Sequence, residues 1–295
     1  MMYKMYKLRD WINIEKLNVS QMSLNLNAIN LLENNINKIN WVYLSMNKNA
    51  IKLLENNIDR IDFYHLSQNK YAIHLLKKHI DKINWSVLSS NSKAIYLLEE
   101  NIDKIDFCNI SINTSAIHII EKNLDKINWK LLSANQNAIH ILEQNIDKID
   151  WNYLSLNTKA NRIIEKNLEK VNWKLLSSNK NAISILENNL DKIDWRYLSL
   201  NPNGIKLLEN NYDKINWYLL SKNPNAINLL ENNIDNINYD NLSLNPNIFT
   251  YDYLKIKERM MTIYEELISK VLHPERLMRI SNKYNITFIE LIKIY

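Results

Sequence analysis

Six residues that could bind an anion or a metal ion share one position of a 22-residue spacing in this 295-residue chain. They are Lys52, His74, His118, His140, Arg162 and Lys206. A row of cations at regular spacing can follow the phosphates of a nucleic acid. Four uncharged residues interrupt the row, at positions 30, 96, 184 and 228, so a solvated helix face explains it better. Histidines in neighbouring units would lie about 10 Å apart, which is too far for a shared metal ion without a third ligand.

A second set of residues could recognise a protein. It consists of Tyr43, Tyr64, Tyr153, Tyr197 and Tyr218, which occupy two adjacent positions of the same spacing. Tyrosine on an exposed face is typical of protein-binding surfaces. The same side chains could instead pack beneath a neighbouring helix, and the sequence leaves both interpretations open.

Residues with catalytic chemistry occur in this chain as repeated parts of one unit. Ser45, Asn47 and Asn57 have equivalents in nearly every unit, and such recurrence indicates helix caps and hydrogen bonds between units. The sequence contains no phosphate-binding loop, nucleophile elbow or metal-ligand spacing. A single cysteine, Cys108, allows neither a disulfide framework nor a zinc pattern. We therefore expect no enzymatic activity and no cofactor.

These positions belong to a 22-residue repeat that occurs eleven times without insertion or deletion. The residue that opens each copy is aromatic in all copies but the first, and we number the copies 1 to 11 by Val19, Trp41, Phe63, Trp85, Phe107, Trp129, Trp151, Trp173, Trp195, Trp217 and Tyr239. Self-similarity at such a period is typical of a solenoid. The tryptophans are then core residues, and a base-stacking platform for nucleic acid is the less favoured interpretation.

The sequence of one copy predicts two short helices. In copy 2, Asn40 is the predicted N-cap of a first helix that begins at Trp41. Asn47 is the predicted N-cap of a second helix over residues 48–56, and three late copies place Pro after this Asn. Asn57 is predicted to close that helix in the left-handed conformation. The chain is thus predicted to be an all-α solenoid of helix-turn-helix repeats, with a leucine-rich repeat as the alternative.

The sequence outside the repeats predicts helical caps at both ends. Residues 1–16 are predicted to form an N-terminal capping helix, residues 17–249 the repeat solenoid and residues 250–295 a C-terminal helical cap. That cap includes a long amphipathic helix from Tyr251 to Val271 and a last helix over 288–295. Caps are expected because an open solenoid exposes core at its ends. Eleven copies spaced by about 10 Å would make a rod about 100 Å long.

The composition is that of a folded protein with a mild positive charge. Hydrophobic residues make up 46% of the chain and charged residues 23%, and the formal net charge is +5. Neither a signal peptide nor a membrane span is evident. We therefore expect an intracellular protein, in the cytoplasm and without membrane partners.

The repeat unit resembles sequences of viral origin. The pattern Ile-Asp-Trp-x-x-Leu-Ser-x-Asn-Pro-Asn-x-Ile-x-Leu-Leu-Glu-x-Asn, seen from Ile193 to Asn211, resembles repeats in uncharacterised proteins of giant DNA viruses of the mimivirus type. Residues 8–12, 251–253 and 273–277 are similar to segments that flank those repeats. The resemblance implies an expanded viral family without an assigned activity, located in the host cytoplasm or in the virion.

Three functions remain compatible with the sequence. The favoured one is a non-enzymatic repeat scaffold that binds a host or virion protein, because the exposed residues vary between copies and no reactive cluster appears. The alternatives are a nucleic-acid-binding solenoid that uses the basic row on the second helices and a structural component of the virion.

Overall fold

The structure is a computed structural model that describes residues 6–284 and residue 287. Each copy begins with a first α-helix at its opening residue, and copies 1 to 10 continue with a second α-helix. The first helices are Val19–Met22, Trp41–Met46, Phe63–Gln68, Trp85–Ser89, Phe107–Ile110, Trp129–Ser133, Trp151–Ser155, Trp173–Ser177, Trp195–Leu198, Trp217–Leu220 and Tyr239–Leu244. The second helices are Ile29–Glu33, Ile51–Glu55, Ile73–Lys78, Ile95–Glu99, Ile117–Glu121, Ile139–Glu143, Asn161–Glu165, Ile183–Glu187, Ile205–Glu209 and Ile227–Glu231. The predicted all-α repeat architecture is confirmed, and the leucine-rich alternative is wrong because no strand lies in copies 1 to 10.

Short 3₁₀ helices form a third element that the sequence did not predict. Most of them follow a second helix, and two replace the turn before the position of a second helix in copies 10 and 11. The first group is Ile36–Lys38, Ile58–Arg60, Ile80–Lys82, Ile102–Lys104, Ile146–Lys148, Leu190–Lys192, Tyr212–Lys214 and Ile234–Asn236, and the second is Pro224–Ala226 and Pro246–Ile248. A further 3₁₀ helix, Ile14–Lys16, precedes copy 1. Three residues with i→i+3 hydrogen bonds are the usual length of such a connector.

The asparagines of each copy cap these elements in three different ways. Asn40 is the N-cap of the first helix, as predicted, because its side chain accepts the N–H of Tyr43 at 3.1 Å. Asn47 ends the first helix instead of starting the second, which begins only at Ile51. Asn57 has φ −138° and ψ 49°, so the predicted left-handed conformation is wrong. Its Nδ2 group instead donates to a carbonyl of the second helix, 2.8 Å away at position 53.

Small residues lie where the two helices of a copy approach each other. Ala50 and its equivalents are fully buried, as their size predicts. Gly204 replaces this alanine in copy 9, where an added Cβ would lie 2.8 Å from Cδ1 of Leu198. The close approach accounts for the small side chain, since the φ of Gly204 is an ordinary −82°.

Two ladders of buried side chains join each copy to the next. Oγ of Ser45 donates to the carbonyl of Trp41 at 2.7 Å and accepts the N–H of Asp62, in copy 3, at 3.1 Å. Nδ2 of Asn47 donates to the carbonyls of Ser23 and Asn25, in copy 1, at 2.9 and 3.0 Å. Both ladders recur along the chain, and the buried asparagines of the second ladder are Asn25, Asn47, Asn69, Asn91, Asn113, Asn135, Asn157, Asn179, Asn201, Asn223 and Asn245.

The same ladders also join copy 1 to copy 11. Nδ2 of Asn25 donates to the carbonyls of Ser243 and Asn245 at 3.0 and 2.9 Å, and the N–H of Asn18 donates to Oγ of Ser243 at 2.9 Å. Asn25 and Ser243 are 218 residues apart in the sequence, and the equivalent pair within the chain, Asn47 and Ser23, is 24 residues apart. Together the two separations equal eleven periods of 22 residues, so the contact at the closure is the same contact that joins copies 1 and 2. Copy 11 therefore contacts copy 1 in the same way that copy 1 contacts copy 2. The repeats close into a ring, and the predicted open rod is wrong.

Residues 6–16 complete copy 11, which has no second α-helix. The strand Phe249–Tyr251 follows its last 3₁₀ helix and pairs with the strand Tyr6–Leu8. The N–H of Arg9 donates to the carbonyl of Ile248 at 2.9 Å, and the 3₁₀ helix Ile14–Lys16 stands one period before Ile36–Lys38. The predicted capping helix over residues 1–16 is therefore wrong for the described residues 6–16, because a closed ring has no open end to cover.

The chain divides into two compact units, of which Leu8–Phe249 is the ring. The described residues of the other unit are 6–7, 250–284 and 287. Its described part contains the helices Tyr253–Val271 and Pro274–Tyr284, and Tyr6 stacks on Tyr251 with ring centroids 4.8 Å apart. The last helix predicted over 288–295 lies outside the described residues. No helix in the described part of the chain is long and apolar enough to cross a bilayer.

Candidate interaction surface

The first helices form the inner layer of the ring. Successive first helices contact one another closely, whereas successive second helices approach less closely. Elements on the inside of a curved array lie closer together than those on the outside, so the second helices form the outer layer. Wedge-shaped grooves open between them, such as those of about 430 Å3 beside His118 and about 470 Å3 beside Arg162.

The exposed face of the first helices lines the opening of the ring. In copy 2, Leu44 and Ser45 are buried, whereas Val42 and Met46 are 37% and 39% exposed. Residues four apart share one face of a helix, so the positions one and five residues after the opening residue point away from the second helix. We call these 22 positions the lumen wall. They hold Ser20, Leu24, Val42, Met46, Tyr64, Gln68, Ser86, Ser90, Cys108, Ile112, Lys130, Ala134, Asn152, Leu156, Lys174, Ser178, Arg196, Leu200, Tyr218, Lys222, Asp240 and Leu244.

The size of the opening follows from the number of copies. Eleven helices whose axes are spaced by about 9 Å lie on a circle with a radius of about 16 Å. Subtracting a helix radius of about 5 to 6 Å, side chains included, leaves an opening about 20 Å wide. The opening is wide enough to admit an extended chain or a helix of another molecule.

The five predicted tyrosines divide between two environments. Tyr64 and Tyr218 lie on the lumen wall and are 51% and 59% exposed. Tyr43, Tyr153 and Tyr197 stand one residue further along the first helix and are half-buried. Lysines of the preceding copies, Lys130 and Lys174, lie over the rings of Tyr153 and Tyr197 at 5.1 and 5.0 Å from the centroid. Tyr64 and Tyr218 are therefore accessible, whereas the other three are partly covered by neighbouring side chains, and a role of either group in protein binding stays a prediction.

The predicted basic row lies on the outer layer, where acidic residues of the preceding copies stand next to it. All six of its members are exposed. Nε2 of His74 lies 2.8 Å from a carboxylate oxygen of Glu55, and His118 and His140 make the same contact with the preceding glutamate at 2.9 Å. Those glutamates recur at Glu33, Glu55, Glu99, Glu121, Glu143, Glu165, Glu187, Glu209 and Glu231. The outer face therefore alternates in charge, which weakens its attraction for phosphate.

The opening aromatic residues are half-buried, and most have one face covered by a cation from the end of the same copy. Arg60 lies over Trp41 at 5.3 Å, and lysines repeat the contact from Phe63 to Trp195 at 4.5 to 5.6 Å. Lys16 lies over Tyr239 at 5.1 Å, so this contact also spans the closure. Because most of these rings are half-buried and have a cation over one face, the aromatic series is a poor platform for stacking bases.

Two N-cap aspartates next to the lumen wall are held in the ionised form. Partial burial raises the pKa of the Asp106 carboxyl, but hydrogen bonds from Oγ of Ser86, at 2.6 Å, and from the N–H of Asn109 outweigh it. The pKa of Asp106 therefore lies below its ordinary value. The pKa of Asp62 is also lowered, because the hydrogen bonds from the backbone and ring of His65 outweigh the effect of burial.

Sequence reasoning missed the lumen wall as a surface and therefore missed its cations. Lys130, Lys174 and Arg196 occupy the same position as Tyr64, so the 22-residue alignment already grouped them. What the alignment lacked was the closure, which turns one exposed helix face into the inside of a ring.

Comparisons with family models, curated proteins and solved structures find no match to this chain. The residues that bear on function are therefore those that the ring leaves exposed and does not use for its own assembly.

Proposed function

We propose that this protein is a non-enzymatic repeat scaffold that binds another protein. One observation carries the proposal: most constant residues of the repeat are taken up by the core, the caps and the two ladders, whereas the residues of the lumen wall and of the basic row change from copy to copy. Ser45 and Asn47, the polar residues that recur most regularly, are fully hydrogen-bonded within the ring. A regular frame with a varied exposed surface is typical of repeat proteins that bind other proteins.

The setting we propose is viral, in agreement with the sequence resemblance of the repeat unit. The partner would then be a host protein in the cytoplasm or a virion protein. Detection of this protein in purified particles would favour the structural virion role over a scaffold that acts in the host.

Affinity capture from nuclease-treated cell extract, followed by reconstitution with the purified candidate, tests the proposal. We expect a complex of fixed stoichiometry in light scattering after gel filtration. The nucleic-acid alternative predicts instead that nuclease removes all captured material and that single-stranded RNA or DNA binds with a steep dependence on salt. That result, without any protein complex, would contradict the proposal.

A further inference from the structure

The lumen wall carries nearly all its charge on one arc. Lys130, Lys174, Arg196 and Lys222 lie on copies 6, 8, 9 and 10. No wall position of copies 2 to 5 holds a charged residue, and the acid Asp240 is hydrogen-bonded at 2.9 Å to copy 1. The wall therefore has a cationic arc and an uncharged arc.

The uncharged arc is apolar where it faces the cations. In a ring of eleven, copies 2 and 3 stand opposite copies 7 to 9. Copies 2 and 3 present Val42, Met46 and Tyr64, which are 37%, 39% and 51% exposed. Lys174 and Arg196 are exposed on the opposite side. The cationic arc also carries the exposed Leu156 and Tyr218, at 42% and 59%. A molecule in the opening would therefore meet an uncharged, largely apolar side on copies 2 and 3 and would find the positive charge only on the opposite side.

We propose that the opening binds an acidic amphipathic α-helix of the partner protein. This inference rests on the proposed function and names its surface and its ligand. A helix with its side chains is about 10 to 12 Å wide, so it enters an opening of about 20 Å without a change in the ring. Its apolar stripe would pack on copies 2 and 3, and its carboxylates would face copies 8 and 9.

The distribution of charge favours such a helix over a nucleic acid. A duplex carries phosphates on every side, so it would place some of them against Asp240 and the apolar arc. A ligand that carries carboxylates on a single face complements this wall better.

The single cysteine provides a reporter for the test, because Cys108 is an exposed wall residue. The probe is a synthetic helical peptide of about 20 residues, roughly 30 Å long, with leucines on one face and glutamates on the other. Its binding is followed by fluorescence anisotropy, and the reaction of Cys108 with a maleimide is timed with and without peptide. We expect saturable binding that slows the modification of Cys108.

Charge reversal on the lumen wall, compared with charge reversal on the outer layer, shows which surface binds the peptide. We expect Lys174→Glu combined with Arg196→Glu to weaken binding at least about tenfold and to abolish the protection of Cys108. The matched control, Arg162→Glu with Lys206→Glu, reverses the same charges on the outer layer and should leave both readouts unchanged.

Several results would overturn the proposal. The first is that the peptide does not bind, and the second is that both double variants lose the same amount of peptide affinity. The third is that a peptide of the same composition without separate apolar and acidic faces binds as tightly. The fourth is that duplex DNA binds more tightly than the peptide and that the wall variants weaken its binding. A protein complex that forms normally with the wall variants would leave the scaffold function standing while removing the lumen as its site.

Discussion

At the scale of single residues, the ring depends on buried side chains whose donors and acceptors are all used. Nδ2 of Asn135 donates to two carbonyls of copy 5, at 2.9 and 3.2 Å, and its Oδ1 accepts the N–H of Asn137 at 3.0 Å. Asn135 is fully buried, so no water can replace these contacts without rearrangement. The identity of the residue is therefore dictated by hydrogen bonding rather than by backbone conformation.

Replacing a ladder asparagine should cost far more stability than replacing its exposed neighbour. Asn135→Ala removes the hydrogen bonds to the carbonyl of Ser111 and from the N–H of Asn137, at about 1 to 3 kcal/mol each. The carbonyl of Asn113 also loses a bond but keeps the one from the N–H of Ala116. We expect a loss of at least about 2 kcal/mol in the free energy of unfolding, measured by urea denaturation. The control Asn137→Ala removes only exposed bonds, one from Nδ2 to the carbonyl of Thr114 and one from Nζ of Lys159 to Oδ1, and should cost under about 1 kcal/mol. Equal losses would show that the ladder is not a main source of stability.

Asn161 replaces an isoleucine of the repeat pattern and should lower the stability of the ring. Restoring the isoleucine should therefore raise the free energy of unfolding. Its Nδ2 donates to the carbonyl of Asn181 at 2.7 Å, but its Oδ1 is buried without a partner. The neighbouring equivalents Ile139 and Ile183 are apolar. We expect Asn161→Ile to raise the free energy of unfolding by about 1 kcal/mol or more. The reciprocal change Ile139→Asn should lower it, and a destabilising Asn161→Ile would indicate that the amide has a role of its own.

The N-cap aspartates should make the stability of the ring sensitive to acid. The pKa values of Asp62 and Asp106 are lower in the folded chain than their ordinary values, so their ionised forms stabilise the fold above about pH 4. That contribution is lost as the pH falls through the folded pKa values. In the Asp62→Asn, Asp106→Asn variant the urea midpoint should therefore fall less between about pH 4 and pH 2. Asparagine is a valid control because it caps the first helix in seven other copies, and an unchanged acid dependence would contradict the assignment.

At the scale of elements, sequence reasoning predicted the first helix well and the second only in part. The N-cap aspartate or asparagine and the following aromatic residue mark the start of the first helix in every copy from 2 to 11. The second helix begins three residues later than predicted, because the side chain of Asn47 accepts the N–H of Asn49 and so forms a turn of its own. Asparagine suits both an N-cap and such a turn, so the residue type alone could not distinguish them.

Residues 6–16 act as the element that closes the ring, and their removal should loosen both neighbouring copies. In the full chain, copies 1 and 11 have the same ladder contacts as the central copies, so we expect similar amide protection for their first helices in hydrogen exchange. In a variant that lacks residues 1–16, amides of copies 1 and 11 should exchange faster than those of copies 5 to 7. Frayed end copies in the full chain would contradict the closure.

At the scale of the whole molecule, closure into a ring could not be predicted from the 22-residue period alone. Closure of eleven copies needs a rotation of about 33° per copy, and such curvature is set by small differences in packing between layers. An identical 22-residue pattern is compatible with a rod or a ring. One sequence signal was nevertheless present: residues 14–18 match the end of a copy, although no full copy precedes them.

The closure can be tested directly by measuring one distance across it and the equivalent distance within the chain. Spin labels are attached to cysteines at Asn37 and Asn247, and as a control at Asn49 and Asp81, both in a Cys108→Ser background. All four positions are exposed, and the control pair has the same relation in copies 2 and 3 that the first pair has across copies 11 and 1. Double electron–electron resonance should give the same distance distribution for both pairs. A short control distance together with a first pair separated by about 100 Å, as in an open rod, would contradict the ring.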